Sequence, residues 1–379
     1  MSPAAEKHRY IDALRGIAVL LVILTHSAQP VAGLPLLLDG LAKYGQTGVQ
    51  LFFVASAYTL CLSFSRRGDE ARPVLAFYLL RLFRIAPLYW LAIAVYFGLH
   101  LALQLKASQS PLAFAPYTAF NVMANALFVH GFVPAANNIV VPGGWSIGTE
   151  MAFYALFPLL FALASRVYRN GMASLMFAWA LLCLGNLAVQ FMLEATPWAI
   201  AGNNFTYFNI VNQLPVFGVG LLAFFLNEKA SAPGWPPAAH LLGLLVFAAA
   251  TLLLWRLKQP LLFALIPTSA ALSFFCLLQL LRVLPLKLNA LCRVGQVSYS
   301  MYVFHFLFAW YAVPALVAPS ALPPALALVS SFALTVAGTF VVAVWSERWI
   351  EARGIAVGRR TIARLQANTM PPVARHHAR

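Results

Sequence analysis

The sequence predicts an all-α protein: a polytopic transmembrane helical bundle of about ten spanning helices plus a re-entrant segment, with both termini cytoplasmic. Three observations carry this. Hydrophobic residues make up 62% of the 379-residue chain and charged residues only 9%, a balance outside the range of soluble domains. Mean hydropathy is +0.80, and apolar runs recur at the length needed to cross a hydrocarbon core of ~30 Å. With the N-terminus inside, 21 of the 25 lysines and arginines fall in cytoplasmic segments, leaving Lys43, Lys106, Arg256 and Lys258 outside. This is a positive-inside signature. It accounts for the net charge of +15 without nucleic acid as a partner. Membrane lipid is the partner it points to, and a basic tail touching anionic head groups is a further reading.

Taken in order, the spans are expected near residues 12–30, 47–65, 80–105, 145–165, 172–193, 206–227, 239–256, 260–281, 295–316 and 324–347. The first has no small-residue cleavage site and reads as a retained start-transfer segment. Pro30 to Thr47 reads as an outer loop rich in Gly, Pro and Leu. Asn121 to Phe132 is apolar, but a full crossing there would place Arg166 and Arg169 outside. Residues 118–133 are therefore expected to re-enter instead of spanning, which requires protein to cover their ends. The transmembrane domain is taken as residues 1–353. From Gly354 the chain is basic with few large apolar residues, so 354–379 is expected to be a disordered cytoplasmic tail. Cys61, Cys183, Cys276 and Cys292 sit in or beside apolar segments without ligand spacing, and read as small core residues. No metal motif, P-loop, dinucleotide fingerprint or internal repeat is present.

The stretch Tyr10 to Ser27, YIDALRGIAVLLVILTHS, carries the first chemistry. Arg15 and His26 are eleven residues apart, about three turns, which aligns them on one face roughly 16 Å apart. Asp12 falls near the same stripe. An apolar helix with an acid, an arginine and a histidine on one face should turn it toward protein or a watery cavity. The plainer reading is an interfacial anchor at Arg15 and a satisfied polar residue at His26.

Four later stretches add candidates. In FYLLRLFRIAPLYWL, Arg81 and Arg84 are neighbours on one face at the cytoplasmic mouth, with Pro87 and Tyr89–Trp90 marking a kink at an interface. They form either an interfacial pair or a cationic clamp, since guanidinium offers planar bidentate donors to phosphate. In GGWSIGTEMAFYALFPLL, two glycines open the helix tightly, Trp145 takes an interfacial place, and Glu150 lies a turn and a half inside. A carboxylate at that depth needs a partner. Entering from the opposite side to a depth comparable with His26, it is expected to meet His26 in one cavity. Gly218 and Gly220 permit close helix packing. In VGQVSYSMYVFHF, Ser298, Tyr302 and His305 share a face and are candidates for lining that cavity, together with Asp12. For His305, as for His100 and His130, the alternative is a core histidine bonded to a neighbouring carbonyl. Glu347 and Glu351 are expected to pair with Arg348 and its neighbours at the inner interface.

These stretches, in this order, resemble the membrane-bound acyltransferase-3 family, whose bacterial members modify surface polysaccharides and some small molecules. The resemblance covers about residues 8 to 350. It rests on YIDALRGIAVLLVILTH with its Arg-x10-His spacing, GVQLFFVASAY, FYLLRLFRIAPLYWL, WSIGTEMAFYALFP and SYSMYVFH. It implies that His26 is the family's first-helix histidine and Arg15 its motif arginine. Arg81 and Arg84 correspond to its Arg-x-x-Arg donor-site pair, and Glu150 to the glutamate of its Trp-Ser-x-x-x-Glu element. Two positions depart from the pattern: Ser56-Ala57-Tyr58 stands for the usual Ser-Gly-Phe, and Gln50 for a common Asp. The absence of an appended extracellular hydrolase-type domain speaks against peptidoglycan as acceptor.

The function this implies is transfer of an acyl group, acetyl by default, from cytosolic acyl-CoA to a hydroxyl of a cell-surface glycan or glycolipid. Such an O-acetyltransferase would sit as a multi-pass protein in the bacterial inner membrane. Arg15, Arg81 and Arg84 would bind the donor, His26 would be the general base, and Glu150 would hold the imidazole tautomer. Acyl-CoA, with acetyl-CoA as the default, is a substrate, and no permanently bound cofactor or metal is expected. The rival from another class is a non-enzymatic polysaccharide or lipid transporter or flippase. Against it, the polar groups gather on three helices with a cationic mouth, where a sugar conduit needs polar groups along several. Oligomeric state is not legible.

Overall fold

The computed structural model describes residues 8–68, 70–106, 115–196, 204–229, 234–257, 259–284 and 288–367. Among these every regular element is helical. Ten helical segments are long and apolar enough to cross a membrane. They match the expected spans in order, with the second beginning earlier and the last running longer.

Helix α1 (Arg9–Ala28) is the central post. It packs against α3 (Gly48–Ser65), α10 (Ile266–Val283), α11 (Asn289–Gln296), α12 (Ser298–Phe306) and α13 (Pro324–Ser346). Its apolar residues on the inner faces, Leu14, Val19 and Ile23, are fully buried. The periphery is the reverse. In α7 (Met172–Glu194) and α9 (Pro237–Leu257) only 11% of the spanning window is covered by protein. Leucines such as Leu184, Leu242 and Leu253 face outward there, as expected where the surrounding solvent is hydrocarbon.

Two expectations change. The outer loop 30–47 contains a helix, α2 (Leu36–Tyr44), which runs through a 3-10 turn into α3. The segment 118–133 holds α5 (Ala119–Ala126), capped by the Thr118 hydroxyl on the Asn121 amide. This helix has only two turns, a rise of roughly 12 Å against the ~30 Å of a hydrocarbon core, so it does not span. It is held in place from α4 (Pro73–Lys106), where Tyr89 donates to Asn125 Oδ1 at 2.7 Å and stacks on buried His130. His130 Nε2 lies 2.9 Å from the Gly144 carbonyl, the core-histidine arrangement.

The second change concerns the tail. Residues 354–367 do not form a disordered extension. They continue as α14 (Ala352–Ala367), packed on α4, while 368–379 lie outside the described residues. The physical reason lies at Pro87. Proline cannot donate to the carbonyl four residues earlier, so the Phe83 oxygen is left without its helical partner. Gly354 closes on that oxygen so tightly that a Cβ would overlap it, and Gly358 rests on the Phe83 ring. A local reading of composition misses this, because Phe83 and Gly354 stand near opposite ends of the chain.

A buried amide chain fastens α3 and α7 to α8 (Ile210–Glu228). Gln50 Nε2 donates to Gln213 Oε1 at 3.2 Å, Asn186 to Asn212 at 3.2 Å and Gln190 to Asn186 at 3.0 Å. The two interhelical bonds, Gln50 to Gln213 and Asn186 to Asn212, contribute roughly 0.6–2 kcal/mol each in an apolar surround. Gln50, one of the departures from the family pattern, thus serves as a helix fastener. Gly220 packs on the Val54 carbonyl and Ala57, and Gly218 on Trp179, the close approach expected of them. All four cysteines are free thiols.

Candidate active site

Helix α6 (Gly144–Tyr168) enters the bundle through Gly143, whose φ of 74° lies in the region that suits glycine. A side chain there would also strike Phe306 and the Tyr302 hydroxyl. That close approach lets Tyr302 donate to the Gly143 carbonyl at 3.0 Å while accepting from Ser146 at 2.7 Å. Trp145, expected at an interface, is instead buried and stacked on Phe208 at 4.5 Å. The first turns of α6 are thereby fixed against α12, and Glu150 is aimed into a cavity walled by α1, α3, α4, α6 and α12.

Arg15, Arg81, Arg84, Glu150, Ser298 and Tyr302 all line that cavity, with Ser56, Ser146, Tyr154 and Tyr299. Arg15 reaches it from α1 and donates to Thr59 Oγ1 at 3.0 Å. Arg81 lies over the Phe77 and Tyr154 rings, at 5.8 and 5.9 Å, and its buried Nε has no hydrogen-bond partner among the described residues. Glu150 accepts from Ser56 Oγ and from Tyr154 OH, both at 2.6 Å. Among the described residues no ion pair joins Glu150 to any of the three arginines. Three guanidiniums and one carboxylate leave the cavity cationic. Ionisable side chains in helical membrane bundles gather on interior faces and cavities, so the three guanidiniums make this cavity the candidate site.

The structure separates what was expected to meet. His26, near the end of α1, is not among the cavity residues, and Glu150 is not its partner. His26 Nδ1 lies 3.2 Å from Gln29 Oε1, and the same oxygen accepts from Trp310 Nε1 at 2.9 Å. The imidazole packs on Phe306 at 4.4 Å, His305 at 5.1 Å and Trp310 at 5.7 Å between ring centres. Asp12 and His305 also stand outside the cavity wall. His305 is fully buried, with Nδ1 on the Tyr302 carbonyl at 2.6 Å, which is the core-histidine alternative. It nevertheless links the two regions: its ring lies 5.1 Å from that of His26 and 5.7 Å from that of Tyr302, which lines the cavity.

Sequence reasoning missed Tyr154, Gln29 and Trp310, did not place Ser56 in the site, and gave Glu351 a different partner. Tyr154 is four residues after Glu150, and Gln29 three after His26, spacings that place each beside its partner on a helix. Glu351 does not pair with an arginine at an interface. It is buried in a π-helical turn (Glu347–Glu351) and accepts from Ser300, which in turn accepts from Ser346 at 2.6 Å. No local pattern announces that contact.

Fold and site together define a polytopic helical membrane protein with an arginine-lined cavity at one end of its central helix and a histidine at the other. The model of the acyltransferase-3 family, described as an acyltransferase domain, matches residues 8–344, and the chain belongs to that family. It is also similar to the protein named "Putative membrane-bound transacylase BcsY" from Komagataeibacter xylinus. The two are 26% identical over 315 residues, covering 79% of this chain and 72% of that one. No solved structure matches the chain.

Proposed function

We propose that this acyltransferase moves an acyl group, acetyl by default, from cytosolic acyl-CoA to a hydroxyl of an extracytoplasmic glycan or glycolipid. Its place would be the bacterial inner membrane. One observation carries the reading: Arg15, Arg81 and Arg84 face one cavity and, among the described residues, form no ion pair with Glu150. An anionic donor such as coenzyme A, with its several phosphates, supplies the missing charge. Arg15 and His26 lie eleven residues apart on α1, a rise of about 16 Å, comparable with an extended pantetheine arm.

In the reaction, the acceptor oxygen attacks the thioester carbonyl, forming the C–O bond as the C–S bond breaks. His26 takes the hydroxyl proton, and the resulting imidazolium returns it to the departing thiolate. Glu150 acts within the donor cavity, holding Ser56 and Tyr154 and offsetting part of the cationic charge. The BcsY relative, named a transacylase, fits group transfer of this kind.

The test uses membranes carrying His26→Ala or His26→Asn at matched expression. Acceptor acylation, read by mass spectrometry of surface glycans, is expected to fall by about 10²–10⁴-fold, while acetyl-CoA binding persists. Normal product from either variant would move the chemistry away from His26. Glycans of a deletion strain that match wild type would remove the glycan as acceptor.

A further inference from the structure

We infer that Gln29 is the positioning residue that sets the tautomer of His26, and that Trp310 sets Gln29. The inference rests on His26 being the general base. The argument starts from one shared atom. Gln29 Oε1 lies 2.9 Å from Trp310 Nε1 and 3.2 Å from His26 Nδ1. An indole nitrogen carries a hydrogen and can only donate. The glutamine atom facing it is therefore the carbonyl oxygen, which removes the usual ambiguity between the two ends of an amide.

That same oxygen faces His26 Nδ1 and can only accept. Nδ1 must then carry the proton, and Nε2 is left with its lone pair. This is the state a general base needs, since the nitrogen that receives a proton must begin without one. A glutamine carbonyl thus does at His26 what a carboxylate does in a hydrolase triad, without adding a buried negative charge. Glu150, hydrogen-bonded to Ser56 and Tyr154, is occupied elsewhere.

The chain's local geometry supports the arrangement. Gln29 follows His26 by three residues at the end of α1, so the two side chains are neighbours on the helix surface. Trp310 lies in a π-helical stretch, Leu307–Ala312, directly after α12. Such widened turns re-aim side chains and concentrate at functional sites. Here Trp310 meets the His26 ring edge-on at 5.7 Å and the Gln29 oxygen with its N–H.

The test compares acetyl-transfer rates, as kcat, KM and pH profile, for wild type and four variants of the full-length protein in nanodiscs. Gln29→Leu is expected to lower kcat by about tenfold, the scale of one lost hydrogen bond, with KM for acetyl-CoA unchanged. Its acid limb should move to lower pH, because the imidazolium has lost an acceptor. Gln29→Glu places an acceptor-only carboxylate on Nδ1. It should retain activity, with the acid limb moved to higher pH because the charged imidazole is stabilised. Trp310→Phe keeps a ring against His26 but frees the amide to turn its NH2 toward Nδ1, and kcat should fall severalfold. In the double variant Gln29→Glu with Trp310→Phe, that severalfold cost should vanish, since a carboxylate has no wrong end.

A staple that merely fastens the end of α1 would behave differently. Gln29→Leu and Trp310→Phe would then lower thermal stability and activity together, leave the pH profile fixed, and add in combination. That result overturns the inference. Full activity and an unmoved pH profile in Gln29→Leu, with His26→Ala inactive, would overturn it while leaving His26 as the base. If His26→Ala is itself active, the failure lies in the proposed function.

Discussion

Replacing Arg81 and Arg84 together with alanine should weaken acyl-CoA binding sharply while leaving the bundle inserted. Both side chains line the cavity with Arg15, and Arg81 Nε stands buried without a partner among the described residues. Each charge-assisted hydrogen bond contributes about 1.5–3 kcal/mol. The pair should therefore raise the Kd for acetyl-CoA by roughly 10²- to 10⁴-fold. Equilibrium binding of labelled acetyl-CoA to nanodisc-embedded protein reads this without turnover. Alanine at position 81 also removes the stem that packs over Phe77 and Tyr154, so lysine variants are the needed control. Lysine keeps the charge but not the planar fork, and should lose less than alanine. Dephospho-CoA, which lacks the 3′-phosphate, adds a second arm: whichever arginine holds that phosphate should lose less affinity for dephospho-CoA than for CoA. If the double alanine variant binds acetyl-CoA within about twofold of wild type, the cavity is not the donor site. If lysine and alanine are equally poor and both lower the melting temperature, the arginines hold the fold instead.

Two further outcomes follow from the geometry. Glu150→Gln removes the carboxylate's charge but still presents an oxygen to Ser56 and Tyr154. It should tighten donor binding by about two- to tenfold, as expected from removing a like charge in a partly screened site, and leave the pH profile of transfer unmoved. A shifted acid limb would mean that Glu150 addresses His26 after all. Gly354→Val drives a side chain into the Phe83 carbonyl. A loss of about 1–3 kcal/mol is expected, read as a lower melting temperature in detergent, whereas an unchanged melting temperature would show that α14 can lift from α4 freely.

Much of the fold is legible because a bilayer demands long apolar helices and sorts charge by side. Hydropathy places each span, and the arginines decide that 118–133 does not cross. Arg15, Arg81, Arg84, Ser298 and Tyr302 are legible as cavity residues because each sits on an otherwise apolar face. Pairing across helices is not legible. Depth alone would join Glu150 to His26, and depth along the membrane normal says nothing about which helix faces which. The preference of Glu150 for Ser56 depends on how α6 rotates against α3, which Gly143 and Tyr302 set. The docking of α14 escapes for a related reason: its composition is that of a solvated tail, and its seat on α4, the Phe83 carbonyl below Pro87 included, lies far away in sequence.

The separation of the arginines from His26 has its own electrostatic logic. Three guanidiniums and one carboxylate leave a surplus of two positive charges in the cavity. At an effective dielectric of about 20, a unit charge 4 Å from an imidazolium opposes it by roughly 4 kcal/mol, and one 16 Å away by about 1 kcal/mol. A histidine inside the cavity would therefore face on the order of 8 kcal/mol against accepting a proton, enough to disable it as a base. At the far end of α1 the opposition falls to about 2 kcal/mol, and donor phosphates would reduce it further once bound. In the proposed mechanism, three turns of one helix thus hold the donor's anion site and the base in register, near enough for one extended substrate to reach both. A neutral amide oxygen at Gln29 is then sufficient to orient the ring, because the strong field that would call for a full carboxylate has been left at the other end of the helix.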